Sequence, residues 1–370
     1  VSNSIQTEFY STRREAELTS LCDLSARVGS DPLLVQASNG NTSIKLNGAL
    51  WIKASGKWLA RATEEDMFVA LELAEVKESI RNDREITAHN STTRFRPPSI
   101  ETPMHAVLPH RVVVHVHSIN AIAWAIRLDG PDQLRERLSG LQWRWIPYAA
   151  SGIPLAREIE KAVDDSPEMD VFILGNHGLV VCGADCQTAQ ELLVEVEERI
   201  AICPRRPPEA DATMLKMIAR IAGWQFPNVD TLHALGTDPV TRTILGGGVL
   251  YPCQAIFLGR TMPLFPPAVV ASKFKRCLDG KGRIPEFVAV ERGGVMLSDK
   301  MSDAARATLI GLAEVTQRTA ESAQLRYLQD WEVENILSNG AESYKGIVEL
   351  STAKESRPET LMLRQAEARS

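Results

Sequence analysis

The sequence predicts a layered α/β protein. Three observations carry this: apolar runs of strand length, amphipathic helical stretches alternating with them, and glycine-bearing turns between the two. The 370 residues are 44% hydrophobic and 24% charged, which supports a folded chain long enough for two domains and excludes disorder as its main state.

Leu18, Leu21, Cys22, Leu24 and Val28 recur at helical spacing, and Gly29 ends that helix. Thr42–Leu46 and Ala49–Lys53 read as strands joined by Asn47-Gly48, the dipeptide best suited to a two-residue hairpin turn. Between Lys53 and Trp58 the chain reads as a loop, residues 67–73 are apolar, and residues 75–93 are polar and expected to be exposed. Arg94 to Ser99, with Pro97-Pro98, is extended, and Thr102-Pro103 supplies a helix cap followed by the proline favoured at a first helical position. Arg111–Val116 is the strongest strand signal. Ala121–Arg127, Pro154–Asp164 and Thr188–Ile202 read as helices, and Val171–Leu174 and Leu179–Cys182 as strands around Gly175-Asn176-His177-Gly178.

This first domain is expected to span residues 1–203, followed by a Pro/Arg linker at 204–209, an α/β extension at 210–350 and a polar tail at 351–370. In the extension, helices are expected near Ala212–Ala222 and Asp303–Leu325, and strands near Gln254–Leu258 and Phe287–Val290. Val171 to Val181 lines up with Phe287 to Leu297, and a long amphipathic helix follows each segment. The likeness reads either as a degenerate repeat or as the chance resemblance of two β-turn-β-helix units. Gly293 takes the place of His177 in the second copy.

A net charge of −6 gives nothing to attract nucleic acid or an anionic membrane over distance, so neither is an expected partner. The apolar runs are far shorter than the roughly 20 residues of a membrane helix. The polar start Val1-Ser2-Asn3-Ser4 lacks the pattern of a signal peptide, and six scattered cysteines make no disulfide framework, so a cytoplasmic location is expected. Cys182 and Cys186 read as structural thiols rather than a metal clip.

Four of the seven histidines, His105, His110, His115 and His117, fall within thirteen residues. His115 and His117 stand two apart in a strand, so their side chains share a face and can grip one ion. The plainer reading is two exposed histidines on an edge strand. A catalytic zinc takes three protein ligands and keeps a position for water or substrate. His177, at a strand-turn-strand tip, is a candidate third ligand, although Asn-His also suits a purely structural turn. Glu101 reads either as an acid complementing a helix dipole or as a carboxylate delivered to the metal. His105, one helical turn later, reads as a supporting residue.

Gly40-Asn41-Thr42-Ser43, Ala54-Ser55-Gly56, Ser99-Ile100-Glu101-Thr102-Pro103-Met104-His105, His115-Val116-His117 and Gly175-Asn176-His177-Gly178-Leu179 resemble, in order, the motifs of the class II aldolase/adducin family over about residues 16–202. Within the family, the spacing is most similar to the aldolase portion of bacterial rhamnulose-phosphate aldolase/dehydrogenase fusions, although no GxGxxG turn follows here.

The resemblance implies a three-layer α/β/α sandwich with a homo-oligomeric assembly. It implies Zn2+, or another divalent metal, on His115, His117 and His177, with Glu101 as a displaceable fourth ligand and the catalytic acid/base. It implies substrate-phosphate contacts at Asn41, Ser55, Gly56 and Ser99. Ile100 stands where the sugar-phosphate aldolases carry a second serine. Lys53 or Lys45 is a candidate source of compensating charge, set against the plainer reading of solvated hairpin lysines. Tyr148 is a candidate for the tyrosine acid that family aldolases take from a neighbouring subunit.

The implied activity is retro-aldol cleavage of a ketose 1-phosphate of the rhamnulose or fuculose type, the substrate being a small phosphorylated sugar or sugar acid. A dry site is expected to raise the pKa of Glu101 for proton transfer. The alternatives are a decarboxylase, an epimerase or a dehydratase using the same metal, and a noncatalytic adducin-like interaction protein, against which the complete histidine set argues.

Overall fold

The computed structural model describes residues 2–86, 97–219, 224–267, 269–270, 285–338 and 344–348, and only the backbone of 2–11 and 217–219. Its larger sheet has seven strands: β1 (Asn41–Leu46), β2 (Ala49–Lys53), β3 (Phe68–Glu72), β4 (Val112–Val116), β5 (Trp143–Ile146), β6 (Val171–Leu174) and β7 (Gly178–Gly183). Their order is β3-β2-β1-β4-β7-β6-β5. Every pairing is antiparallel except β5 with β6.

The sheet is an α/β/α sandwich because the alternating residues of its central strands are apolar on both faces. Val112, Val114 and Val116 pack with Leu21, Leu24 and Val28 of helix Ser2–Ser30 and with Leu193 and Val196 of helix Cys186–Ile200. On the other face, Val113, Phe172 and Val180 meet Met104 of helix Thr102–Val107 and Leu155 and Ile159 of helix Ile153–Asp165. Cys182 and Cys186 belong to these two different cores, which keeps them from forming a metal clip. The hairpin is built as the sequence predicts, with Asn47 and Gly48 at φ of 51° and 84°.

Several elements differ from expectation. Residues 75–81, read as part of a polar exposed stretch, lie in helix Leu73–Arg81, which buries Val76 and Ile80 four positions apart. Gln254–Leu258, read as a strand, lies in helix Pro252–Leu258. Pro252 needs no N–H partner in a first turn, and so short an apolar run has no period that separates helix from strand. Thr102 is the first helical residue and Glu101 occupies the N-cap position. The helix expected to Leu325 ends at Arg318. Residues 94–96, Cys277 and the polar tail lie outside the described residues.

The extension repeats the arrangement of β4 to β7. Its strands β8 (Trp224–Gln225), β9 (Leu264–Phe265), β10 (Phe287–Val290) and β11 (Gly294–Ser298) lie in the order β8-β11-β10-β9, matching β4-β7-β6-β5. The directions match as well, β9 with β10 being parallel and the other two pairs antiparallel. Phe287 pairs with Leu297 as Val171 pairs with Val181, the register of the sequence echo. Arg292 (φ 59°) repeats the left-handed turn of Asn176 (φ 52°). Even the turn bonds correspond: Asn176 N–H donates to Ala125 O and Arg292 N–H to Gly236 O, at 3.0 and 2.8 Å. The same registers put Phe226 at the place of His115 and Gly293 at that of His177, so the second unit has the strand arrangement without these two histidines.

A shared core joins the units. Ile119, Ile122 and Ile126 pack with Leu309 and Leu312 of helix Asp303–Arg318. The predicted linker is anchored there: Arg205 donates to Asp238 Oδ2 at 2.7 Å and to Thr316 O at 2.8 Å. Among the described residues, no helix is long and apolar enough to cross a membrane.

Candidate metal centre

The end of β4 carries His115 and delivers His117 just beyond it, on the same side of the chain. His177 arrives on the β6–β7 turn. Gly178 begins β7 against β4 so closely that a Cβ there would stand 2.5 Å from Val116 O, so the glycine is required by approach rather than by φ. Asn176, in the left-handed conformation, donates from Nδ2 to Leu250 O (2.9 Å) and Arg326 O (2.8 Å), so the extension clamps the turn that presents His177.

Glu101 completes the group. It occupies an N-cap position, yet its side chain makes no capping hydrogen bond. Instead Oε1 lies 3.0 Å from His177 Nε2 and Oε2 lies 3.3 Å from His115 Nε2. Among the described residues, Glu101, His115, His117 and His177 each bring one ligand atom within 4.8 Å of the others, and all four are buried.

The donor set fits a divalent cation. Leu179 O can only accept, so His115 Nδ1–H donates to it (3.0 Å) and the Nε2 lone pair faces inward. That nitrogen stands 3.2 Å from His117 Nε2. Two imidazole lone pairs at that distance repel unless a proton or a cation lies between them. Burial first, then the neighbouring His115 and His177, holds His117 well below the usual imidazole range, which keeps a lone pair on its ring.

Burial alone would raise the Glu101 carboxyl, as the sequence leads one to expect, but His115 and then His177 outweigh it and hold it well below the usual carboxylate range. Glu101 is therefore an anion and a proton acceptor at rest. Asn41 Nδ2 donates to Glu101 Oε2 (2.7 Å) and to Ser99 Oγ (3.1 Å), and Asn41 Oδ1 accepts from His105 Nε2 (2.5 Å). His105 Nδ1 then accepts from Ser43 Oγ at 2.7 Å. His105 is thus a support for Asn41 and lies outside the group of Glu101 and the three histidines.

The residues expected to hold phosphate are brought together by an Ala54–Pro98 bridge, with Ser55 N–H on Pro97 O (2.9 Å) and Ser99 N–H on Lys53 O (3.2 Å). Gly56 is in the left-handed region (φ 76°), and a Cβ on it would stand 2.6 Å from Ile347 Cγ2. Ile100 is 61% exposed. Lys53 is buried rather than solvated. Its Nζ donates to Ser38 O (2.7 Å) and Lys57 O (2.6 Å), and burial lowers its pKa to about 7. Lys45 sits at the far end of β1, bonded to His110 O. Tyr148 lies beneath the Arg326 guanidinium, 4.9 Å from the ring centroid, in the cluster of Val249 and Leu328.

Sequence reasoning missed what the extension adds. Tyr344 Oη lies 2.9 Å from Ser38 Oγ, Ile347 covers Gly56, and Cys253 reaches His117. No local pattern marks these residues, since each is remote in sequence from its partner.

The family described as Class II Aldolase and Adducin N-terminal domain matches residues 19–203. The uncharacterized oxidoreductase YuxG of Bacillus subtilis is 28% identical over 186 residues, which is 46% of this chain and 27% of YuxG. A methylthioribulose-1-phosphate dehydratase of Microcystis aeruginosa is 30% identical over 180 residues, 43% of this chain and 80% of the dehydratase. Among solved structures, the N-terminal class II aldolase domain of a conserved protein from Thermoplasma acidophilum is 24% identical, with a TM-score of 0.44 over 49% of this chain and 90% of that one.

Proposed function

Since this chain belongs to the class II aldolase and adducin N-terminal domain family, we propose that it is a divalent-cation-dependent lyase that cleaves a ketose 1-phosphate by retro-aldol chemistry. One observation carries the reading: Glu101 forgoes the helix cap it is placed to make and joins three buried histidines. A purely structural acid at that position would turn its carboxylate to the helix N–H groups.

His115, His117 and His177 would hold the cation, zinc being the first candidate for a three-histidine set. When bound, the cation supplies Lewis-acid polarisation of the substrate ketone and its neighbouring hydroxyl. Glu101 takes or returns the proton at the substrate carbon, and Asn41 keeps its carboxylate turned to that task. Ser55, Gly56 and Ser99 receive the phosphate, with Lys53, bonded to Ser38 O and Lys57 O, adding positive charge where it is protonated, below about pH 7. Tyr148 remains the candidate acid. An assembly of several copies and a cytoplasmic location belong to the same reading and rest on the family resemblance.

A second reading, dehydration of a ketose 1-phosphate, is favoured by the likeness to methylthioribulose-1-phosphate dehydratase along most of that enzyme's length. The products separate the two. Incubating the metal-loaded protein with a panel of ketose 1-phosphates is expected to yield dihydroxyacetone phosphate and an aldehyde. A product lighter by one water supports dehydration, and no turnover of any member contradicts both readings.

A further inference from the structure

A histidine that binds a metal through one ring nitrogen nearly always gives the N–H of the other to an oxygen acceptor, and that bond fixes the ring and raises its basicity. His115 follows the rule through Leu179 O. His117 does not: its Nδ1 faces the sulfur of Cys253, at 3.4 Å. Cys253 belongs to helix Pro252–Leu258 of the extension, outside the domain that supplies the ligands. The thiol is itself oriented, because its S–H donates to Asn39 Oδ1 at 3.3 Å. A thiol both accepts and donates weakly, so it can receive the His117 proton while giving its own away. Both Cys253 and His117 are buried, which keeps water from replacing the sulfur.

We propose that Cys253 is a positioning residue for His117, through which the extension sets how tightly the centre holds its cation. This rests on the cation reading of the site. The thiol fixes His117 as the tautomer with its proton on Nδ1, leaving the Nε2 lone pair for the metal. An extension with no counterpart of His115 or His177 would then still have a role at the centre of the first unit.

The test is cobalt(II) titration of metal-stripped full-length protein, read by visible absorption and by the dissociation constant. Wild type is expected to bind about one cobalt ion per chain. Cys253→Ala should keep that stoichiometry while binding ~10–100-fold more weakly, the usual effect of removing such a partner, with shifted cobalt bands. Cys253→Ser, which still accepts and donates, should recover most of the affinity. If Cys253→Ala proves unstable, Asn39→Ala, which frees the thiol without touching its helix, should still weaken cobalt binding. Wild-type affinity and spectrum in Cys253→Ala would overturn the proposal, as would equal weakening in the alanine and serine variants, which would mean lost packing alone. Failure of wild type to bind cobalt would instead overturn the cation reading beneath it.

Discussion

Asn41 donates a 2.7 Å hydrogen bond from Nδ2 to Glu101 Oε2, and that bond turns a carboxylate at a helix start toward the histidines. Asn41 is fixed in turn by His105 and, through it, by Ser43, so the side chain that aims Glu101 is held at both ends. The Asn41–His105 pairing links β1 to the helix that begins at Thr102.

Glu101→Gln keeps the shape and removes the proton acceptor. The variant should fold and still take up metal on its three histidines, with turnover reduced by ~10²–10⁴-fold. Steady-state kinetics on the true substrate check this, and activity within a few-fold of wild type would reduce Glu101 to a structural acid.

His105→Ala should cost about 2–4 kcal/mol of stability, since it opens a cavity and strands Asn41 Oδ1 and Ser43 Oγ in a buried site. Metal stoichiometry should be unchanged. Urea unfolding and elemental analysis report the two effects separately, and loss of the metal from a folded variant would make His105 a ligand after all.

Gly56→Ala imposes two burdens at once, a left-handed backbone costing about 1–2 kcal/mol and a clash with Ile347. The Michaelis constant for a phosphorylated substrate should rise. Adding Ile347→Ala should restore part of the loss by removing the clash and leaving the backbone strain. No gain in the double variant would mean that the extension does not press on this loop.

Lys53 has a folded-state pKa of about 7 against 10.5 for the free side chain, so the unfolded chain binds more protons between those values. Wild-type stability therefore rises with pH across that window, by up to about 1.4 kcal/mol per pH unit from this group. Lys53→Met lacks this dependence, so its stability relative to wild type should fall steadily from pH 7 to pH 10. A constant difference over that range would mean that burial does not lower the Lys53 pKa.

The cluster of buried histidines was legible because its signals are local: two histidines at strand spacing and a third between glycines in a tight turn. The hairpin was legible for the same reason, Asn47-Gly48 having one strongly favoured geometry. The internal repeat was visible as apolar periodicity but became decidable only once register and strand order could be compared, because β-turn-β-helix units resemble one another. The helix at Pro252 and the burial of Lys53 were not legible. A short apolar run has no resolvable period, and a hairpin lysine is buried only when carbonyls outside its strand, here those of Ser38 and Lys57, fold over to receive it.

The most direct test of the central claim, that Glu101 and three histidines form a divalent-cation centre, is the metal content of purified wild type beside His177→Ala. Elemental analysis should find about one zinc-like ion per wild-type chain and a large loss from a folded His177→Ala protein. Full occupancy in that variant, or a wild type that takes up no divalent ion, would contradict the account.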